Sequence, residues 1–159
     1  MKVSDDGIEF IKREEGLRLR AYEDVAGKLT IGHGHLIQQD DDLALTITKE
    51  EAERLLREDL VEAEDSVNGL VKVPLKQHQF DSILSWTFNL GHGNLRRSTL
   101  LKKLNVKDYA AVPAQIKRWV YAGDQDGDGD VDFDDRVRGL VKRREREARL
   151  FAEGDYGLG

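Results

Sequence analysis

The spacing of apolar residues changes abruptly within the N-terminal segment. Ile8 and Ile11 share one face of a helix that the pattern predicts from residue 5 or 6 to Glu14. From residue 17 to residue 31, apolar and polar residues alternate on both sides of a turn at 24–27. This alternation predicts a β-hairpin directly after the first helix.

After the hairpin, the periodic segments have helical spacing. Thr48 and Glu51 form a capping box at the start of a helix of about five turns that ends near residues 68–69. A second amphipathic segment reaches Phe88, and Gly91 is suited to cap its C-terminal end. Three more helices are predicted, over residues 98–104, over 112–120 with Pro113 in the first turn, and over 133–151. The pattern therefore predicts an α+β fold that is mainly helical, with one small antiparallel sheet.

The composition is that of a single globular domain. The chain of 159 residues is 39% hydrophobic and 35% charged, with no internal repeat or flexible linker, so we treat residues 1–159 as one domain. It contains no cysteine, which excludes disulfides and thiol chemistry. The N-terminus shows no signal peptide, and no stretch is long enough to span a membrane. We therefore expect the protein to stay in the cytoplasm of the cell that makes it until a partner lets it out.

The net charge of −6 comes from one short segment. Residues 124–135 contain seven aspartates and no basic residue, and without them the rest of the chain carries a charge of +1. The acidic total therefore says little about the partners of the remaining surface, and the helix predicted after this segment is basic.

The same acidic segment follows the pattern of an EF-hand calcium loop, with Gly129 at the sharp turn and Val131 as its apolar residue. The predicted metal ligands are Asp124, Asp126, Asp128, the carbonyl oxygen of Asp130, Asp132 and Asp135. The last of these replaces the usual glutamate and the loop is single, so we expect Ca²⁺ at modest affinity, with Mg²⁺ as a competitor. A solvated acidic turn is the alternative. If the loop binds Ca²⁺, we expect the last helix to dock more firmly and the protein to gain stability or activity.

Three residues around the hairpin have the chemistry of a glycosidase. Hydrolysis of a glycosidic bond requires a carboxylic acid that protonates the leaving oxygen and a second carboxylate that attacks the sugar or activates water. Glu15 lies at the end of the first helix, Asp24 lies in the hairpin turn, and Thr30 lies on the returning strand. Taken singly, each has a simpler explanation, as a helix-end charge, a turn former and a β-branched strand residue.

The four histidines offer little support for a zinc site. His33 and His35 would point to opposite faces of a strand, and no HExxH spacing occurs. His78 and His92 are most simply surface or helix-end residues.

The sequence around Glu15, Asp24 and Thr30 forms a specific motif. Residues 15–22 read Glu-Gly-Leu-Arg-Leu-Arg-Ala-Tyr, Asp24 and Gly27 follow, and residues 30–35 read Thr-Ile-Gly-His-Gly-His. This sequence closely resembles the signature of the phage-type lysozymes. The similarity continues through residues 79–81, 88–91, 98–101, 104–105, 118–119, 139–141 and 143–145, and so covers nearly the whole chain. Family members have a short turn where residues 124–135 stand, so the acidic loop has the character of an insertion.

The resemblance implies a two-lobed, lysozyme-like fold with the sheet in the N-terminal lobe. It also implies an endolysin muramidase that cuts the β-1,4 bond between N-acetylmuramic acid and N-acetylglucosamine of peptidoglycan. By matching position, Glu15 is the general acid, Asp24 the second carboxylate, and Thr30 the residue that holds the water or the intermediate. His35 is expected to support Glu15 through hydrogen bonding, and Leu36 and Phe88 to line the substrate cleft.

The family's habits further imply a monomer that passes a holin-type membrane pore and has no nucleic-acid partner. Two rival functions stay open. A lytic transglycosylase would leave 1,6-anhydro sugar ends, and a wall-binding or metal-sensing module without catalytic activity would release no sugar ends at all.

Overall fold

The computed structural model describes residues 1–24, 26–120 and 135–159. The strands are β1 (Arg18–Glu23), β2 (Leu29–Gly32) and β3 (His35–Leu36). The helices are α1 (Asp5–Glu15), α2 (Lys49–Leu70), α3 (Gln77–Leu90), α4 (His92–Arg97), α5 (Thr99–Asn105), α6 (Val112–Lys117) and α7 (Asp135–Glu153), with a 3₁₀ turn at Tyr109–Ala111. The predicted α+β, mainly helical fold is confirmed.

The small sheet is antiparallel and has the strand order β1-β2-β3. The predicted hairpin forms its first two strands, and Thr30 of β2 pairs with Tyr22 on one side and Leu36 on the other. Two residues of β3 are too few to show alternation, which is why the sequence did not predict this strand. The sheet covers a small apolar core that includes Ile31 and Ile47.

The helices surround a larger core of their own. Trp86 of α3 is fully buried, and its ring meets that of Trp119 edge to face at a centroid distance of 5.2 Å. The other buried members come from each of the seven helices in the described part of the chain; from α1 they include Ile8, Phe10 and Ile11, and from α7 Leu150 and Phe151.

Helix α2 connects the two cores and thereby produces two lobes. Its first half contributes Ala52 and Leu55 to the core under the sheet, while Leu56, Leu60 and Val67 belong to the larger core. The apolar spacing that predicts this helix is therefore also what joins the lobes. A cleft can form where the lobes face each other on either side of α2.

Local signals set most helix ends where the sequence predicts them. Thr48 Oγ1 accepts a hydrogen bond from Glu51 N, as the capping box requires. Gly91 ends α3 with φ +91°, a conformation that glycine adopts without strain. Ser98 caps α5.

Two helices differ from the prediction. The segment over 112–120 forms a shorter helix that ends at Lys117, because the amides of Arg118 and Trp119 bond to carbonyls three residues back and tighten the last turn. Helix α4 was not predicted, since its six residues have one buried apolar side chain, Leu95, and therefore show no periodicity.

The predicted metal loop falls largely outside the described residues. Residues 124–134 are not described, and Asp135 is the first residue of α7. The calcium loop and the start of the last helix at residue 133 therefore stay predictions. None of the helices among the described residues is long and apolar enough to cross a membrane.

Candidate active site

A cleft of about 430 Å³ lies where the sheet faces the helical lobe. Its walls come from the end of α1, the turn and strand around β3, the middle of α2 and the C-terminal end of α3. The lining residues are Glu15, Gly34, His35, Leu36, Gln38, Asp59, Phe88 and Asn89. Four residues that the sequence analysis selected, Glu15, His35, Leu36 and Phe88, thus share one cleft.

Glu15 reaches the cleft because the chain turns sharply after it. It is the last residue of α1, and the next residue, Gly16, has φ +74°, which L side chains rarely adopt. The Gly16 carbonyl lies 2.6 Å from His33 Nδ1, so the helix end is held against the turn that follows β2. The Glu15 side chain is 19% exposed and therefore lies on the wall of the cleft within reach of a ligand.

Arg143 of α7 pairs with Glu15 from the protein side. Its Nη2 lies 2.8 Å from Glu15 Oε1 and forms an ion pair with it, while Oε1 accepts no well-oriented hydrogen bond from the described residues. Arg143 Nε donates to Glu147 Oε1 at 3.0 Å, and its Nη2 lies 3.3 Å from Ser85 O. Burial disfavours the charged form of Arg143, yet the charges of Glu15 and Glu147 outweigh burial and raise its pKa.

Glu147 anchors this arrangement in the core. Its side chain is fully buried, it accepts a hydrogen bond from Ser85 Oγ at 2.8 Å, and it forms a second ion pair with Arg144 at 2.9 Å. Burial raises the pKa of Glu147, although both arginines act in the opposite direction. Arg144 Nη2 also donates a hydrogen bond to Asn89 Oδ1 at 2.6 Å, and Asn89 lines the cleft. Four alternating charges therefore connect the cleft wall to the core.

The arginines and Glu147 were not proposed as site residues from the sequence. Arg143 and Glu147 are four residues apart on one helix, a spacing that favours an ion pair. That spacing does not indicate burial, nor the contact with Glu15 at the other end of the chain. Only tertiary packing brings α7 against α1 and α3.

Asp24 is held in the β1–β2 turn. Its Oδ1 accepts hydrogen bonds from the amides of Ala26 and Lys28, both at 2.9 Å, and its own amide donates to the Lys28 carbonyl. These bonds give the carboxylate a fixed orientation at the tip of the hairpin. Asp24 is not among the residues that line the cleft around Glu15.

Thr30 occupies the middle strand of the sheet. It is 3% exposed, and its Oγ1 donates to the Lys28 carbonyl at 3.2 Å. Its partner across the β2–β3 pair is Leu36, which lines the cleft. The structure therefore places Thr30 one strand away from the cleft that contains Glu15, on the strand that follows the turn with Asp24.

His35 does not form the expected hydrogen bond with Glu15. Its Nδ1 lies 2.8 Å from Asp59 Oδ2, and its Nε2 lies 2.9 Å from Asp41 Oδ2. Burial disfavours the charged imidazole, yet the two carboxylates outweigh burial and raise its pKa. The expectation that His35 supports Glu15 directly is therefore corrected: both ring nitrogens face aspartates, and His35 ties the sheet to α2.

The part of the chain that the structure describes contains no group of three or more His, Cys, Asp or Glu residues arranged to hold a metal ion. His33 contacts the Gly16 carbonyl, and His78 Nδ1 lies 2.9 Å from the Leu150 carbonyl, so both have structural partners.

Comparison with known proteins places this architecture in a family. Residues 12–147 match the model of the Phage lysozyme family. The endolysin of Salmonella phage P22 is 42% identical over 154 residues, which are 95% of this chain and 98% of the relative. The endolysin of Acyrthosiphon pisum secondary endosymbiont phage 1 is 42% identical over 151 residues, again 95% of this chain and 98% of the relative.

Solved structures of related proteins have the same fold. The endolysin from Escherichia coli O157:H7 phage FAHEc1 superposes with a TM-score of 0.86 at 32% identity and covers 97% of this chain and 95% of its own. The muramidase domain of SpmX from Asticaccaulis excentricus superposes with a TM-score of 0.82 at 34% identity, covering 95% of this chain and 97% of its own. On the family match, the endolysin relatives and the shared two-lobed fold, this chain belongs to the phage lysozyme family of glycoside hydrolases.

Proposed function

We propose that this chain is an endolysin muramidase that hydrolyses the β-1,4 bond between N-acetylmuramic acid and N-acetylglucosamine in peptidoglycan. One observation carries the proposal: a half-buried carboxylate, Glu15, stands in the wall of an interlobe cleft and is braced from behind by Arg143. The printed names of the relatives, endolysins and a muramidase domain, support the choice of substrate.

In this proposal each residue performs one task. Glu15 must first take up a proton, and in this protonated form it donates the proton to the glycosidic oxygen as the bond to the sugar C1 breaks. Asp24, whose orientation the turn amides fix, supplies the second carboxylate that attacks C1 or takes a proton from water. Thr30 holds that water or the intermediate. Leu36, which is 40% exposed, and Phe88 offer apolar contact to the sugar rings.

Arg143 acts as a positioning residue. Because Glu147 and Ser85 hold it from the core, it fixes the Glu15 carboxylate without needing a contact to the sugar. Preorganised charges of this kind need no rearrangement when the reaction occurs. We therefore expect Arg143 variants to lower kcat more than they raise KM.

The test is cleavage of purified peptidoglycan with analysis of the sugar ends. Glu15→Gln and Asp24→Asn each remove a carboxylate charge at nearly constant volume, and we expect each to abolish activity while the protein stays folded. Glu9→Gln is the matched control, since Glu9 lies on the same helix, is 53% exposed and does not line the cleft. Full activity in Glu15→Gln would exclude the proposal.

The chemistry of the product separates the rival functions. Hydrolysis leaves reducing N-acetylmuramic acid ends, whereas a lytic transglycosylase leaves 1,6-anhydro ends. Binding to walls without any new sugar ends would indicate a module without catalytic activity. We expect reducing ends.

We further propose that residues 124–135 bind Ca²⁺ and stabilise the folded enzyme. The support is the spacing of the aspartates around Gly129. A ligand that binds only the folded state raises the midpoint of thermal unfolding, so we expect a higher Tm in Ca²⁺ than in chelator. Asp126→Asn combined with Asp128→Asn should remove the difference. An identical Tm in both conditions would disprove the proposal.

Storage in the host cytoplasm, release through a holin-type pore, and action as a monomer also belong to this proposal. Their support is the resemblance of the sequence to the family. Measuring lysis of cells that express the protein with and without a co-expressed pore would test whether the pore is needed for the protein to reach the wall.

A further inference from the structure

One exposed side chain in the wall of the catalytic cleft is held from the protein core. Asn89, the residue before the last of α3, is exposed and lines the cleft beside Phe88. Its Oδ1 accepts a hydrogen bond from Arg144 Nη2 at 2.6 Å. The Arg144 side chain is fully buried, and the equally buried Glu147 holds it in an ion pair at 2.9 Å. The inner end of the Asn89 amide therefore has a fixed partner.

This contact determines which way round the Asn89 amide stands. A guanidinium group has only N–H donors, so the oxygen of the amide, and not its nitrogen, must face Arg144. Nδ2 is consequently the free end of the amide, and it donates to no acceptor among the described residues. Asn89 thus presents an N–H donor of fixed orientation at the cleft wall.

The other described side chains of the cleft wall do not offer such a donor. Both ring nitrogens of His35 face aspartates, and Gln38 Nε2 donates to the Leu36 carbonyl at 3.2 Å. The same wall contains the carboxyl groups of Glu15 and Asp59 and, among its described residues, no lysine or arginine. A substrate carboxylate is therefore disfavoured here, and a neutral group that accepts hydrogen bonds is the better complement to Nδ2.

We propose that Asn89 is a specificity residue that donates from Nδ2 to the carbonyl oxygen of an acetamido group on the substrate sugars. The inference rests on the proposed muramidase function, because both sugars of that substrate are N-acetylated. An amide carbonyl only accepts hydrogen bonds and so requires a donor, whereas a sugar hydroxyl both donates and accepts and has no such requirement. The methyl group of the acetamide can pack against Phe88, the neighbouring residue in the cleft wall.

The expected effect is that of one hydrogen bond between neutral groups. Such a bond typically changes an equilibrium or a rate roughly three- to tenfold. We therefore expect Asn89→Ala to lower kcat/KM for N-acetylated glycan by roughly this factor. Asn89→Asp tests the direction of the bond, because one carboxylate oxygen keeps the contact with Arg144 while the other replaces the donor by an acceptor.

The test compares uncross-linked glycan strands that differ in their sugar acetamido groups. Strands whose stem amines have been blocked by acetylation are used as prepared, after treatment with a sugar deacetylase, and after chemical re-acetylation of the treated sample. Wild-type protein should cleave the prepared and re-acetylated strands with a higher kcat/KM than the deacetylated strands. Asn89→Asp should lose or reverse this preference, since its carboxylate attracts the ammonium groups that deacetylation creates.

Asn68→Asp is the matched control. Asn68 is exposed on α2 and does not line the cleft, so this variant gains the same charge without changing the proposed contact. It should keep the wild-type preference for acetylated strands.

The outcomes separate the two proposals. Equal kcat/KM values for all three substrates with the wild-type protein would overturn the acetamido contact and leave the muramidase function intact. A folded Asn89→Asp variant that keeps the full wild-type preference would also overturn the contact. If that variant does not fold, an undiminished preference in Asn89→Ala has the same meaning. Failure of the wild-type protein to cleave any peptidoglycan would overturn the muramidase function and the contact with it.

Discussion

His35 is expected to make the stability of this protein depend on pH. Its two ring nitrogens lie 2.9 Å from Asp41 and 2.8 Å from Asp59. A neutral imidazole has one N–H donor, so only the charged form donates to both carboxylates. Loss of the proton therefore places a lone pair of His35 against one of the aspartates and breaks one of its two contacts, either with the loop that contains Asp41 or with α2, which contains Asp59.

The direction in which stability changes with pH follows from the pKa shifts of His35, Asp41 and Asp59. The pKa of His35 is raised above its ordinary value of 6.5, because the aspartates outweigh burial. Its contribution to stability is therefore complete below pH 6.5 and is lost as the pH rises through the raised folded pKa. On the acidic side, burial raises the pKa of Asp59 above 3.8 although His35 acts against it. A hydrogen bond from the Gln38 amide, followed by His35, lowers the pKa of Asp41.

Asp59 therefore sets the acidic limit of this stabilisation, since it takes up its proton before Asp41 does. Hydrogen bonds to charged groups contribute about 1.5–3 kcal/mol each when well buried. The His35 side chain is 11% exposed, but those of Asp41 and Asp59 are 23% and 30% exposed, so water screens the charges. We therefore expect about 2 kcal/mol for the contact between His35 and Asp59 near about pH 5.5.

The measurement is urea unfolding of the wild-type protein and His35→Asn at a series of pH values. The difference in the free energy of unfolding should be about 2 kcal/mol near about pH 5.5 and should fall by more than half near about pH 9. In a double-mutant cycle with Asp59→Asn, the coupling energy should fall over the same range. A difference that stays constant with pH, or grows as the pH rises, would refute the reasoning.

Three further changes test the packing around the site and the caps. Arg143→Met leaves the fully buried Glu147 with one arginine instead of two, and we expect a loss of about 3 kcal/mol in urea unfolding, where a loss under about 1 kcal/mol would contradict the buried network. Thr48→Ala removes the hydrogen bond from Glu51 N at the start of α2 and should cost about 1 kcal/mol in the same assay. An unchanged free energy of unfolding would show that this cap does not stabilise the helix. Gly91→Ala should cost about 1–3 kcal/mol through backbone strain alone, because φ +91° with ψ 155° is a conformation that side-chain-bearing residues rarely adopt, and no atom lies within 4 Å of an added Cβ; an unchanged Tm would contradict it.

Local sequence signals were sufficient for the elements that position the site. The apolar spacing of α2, its cap at Thr48 and the alternation through β1 and β2 all act within a few residues, so they could be predicted. Glu15, Leu36 and Phe88 do meet in one cleft, but the sequence placed them there only through the family motif. Periodicity alone does not show which helix end faces which strand.

The electrostatic surroundings of the site could not be predicted, since they depend on contacts across the chain. Arg143 meets Glu15 from the opposite end of the sequence, and the two aspartates around His35 come from a loop and from α2. Each of these residues has the appearance of an ordinary surface charge in the sequence. Only packing brings them together as partners, and the expected hydrogen bond between His35 and Glu15 was wrong for this reason.

The position of Arg143 also predicts how calcium should act. Asp135, the twelfth residue of the proposed metal loop, is the first residue of α7, and Arg143 lies farther along the same helix. Arg143 is held by the buried Glu147 and by Ser85 of α3, and these contacts do not involve the loop. Binding of Ca²⁺ should therefore raise Tm without changing kcat at temperatures well below unfolding. A kcat that depends on Ca²⁺ while the protein is fully folded would show instead that the loop controls how α7 presents Arg143 to Glu15.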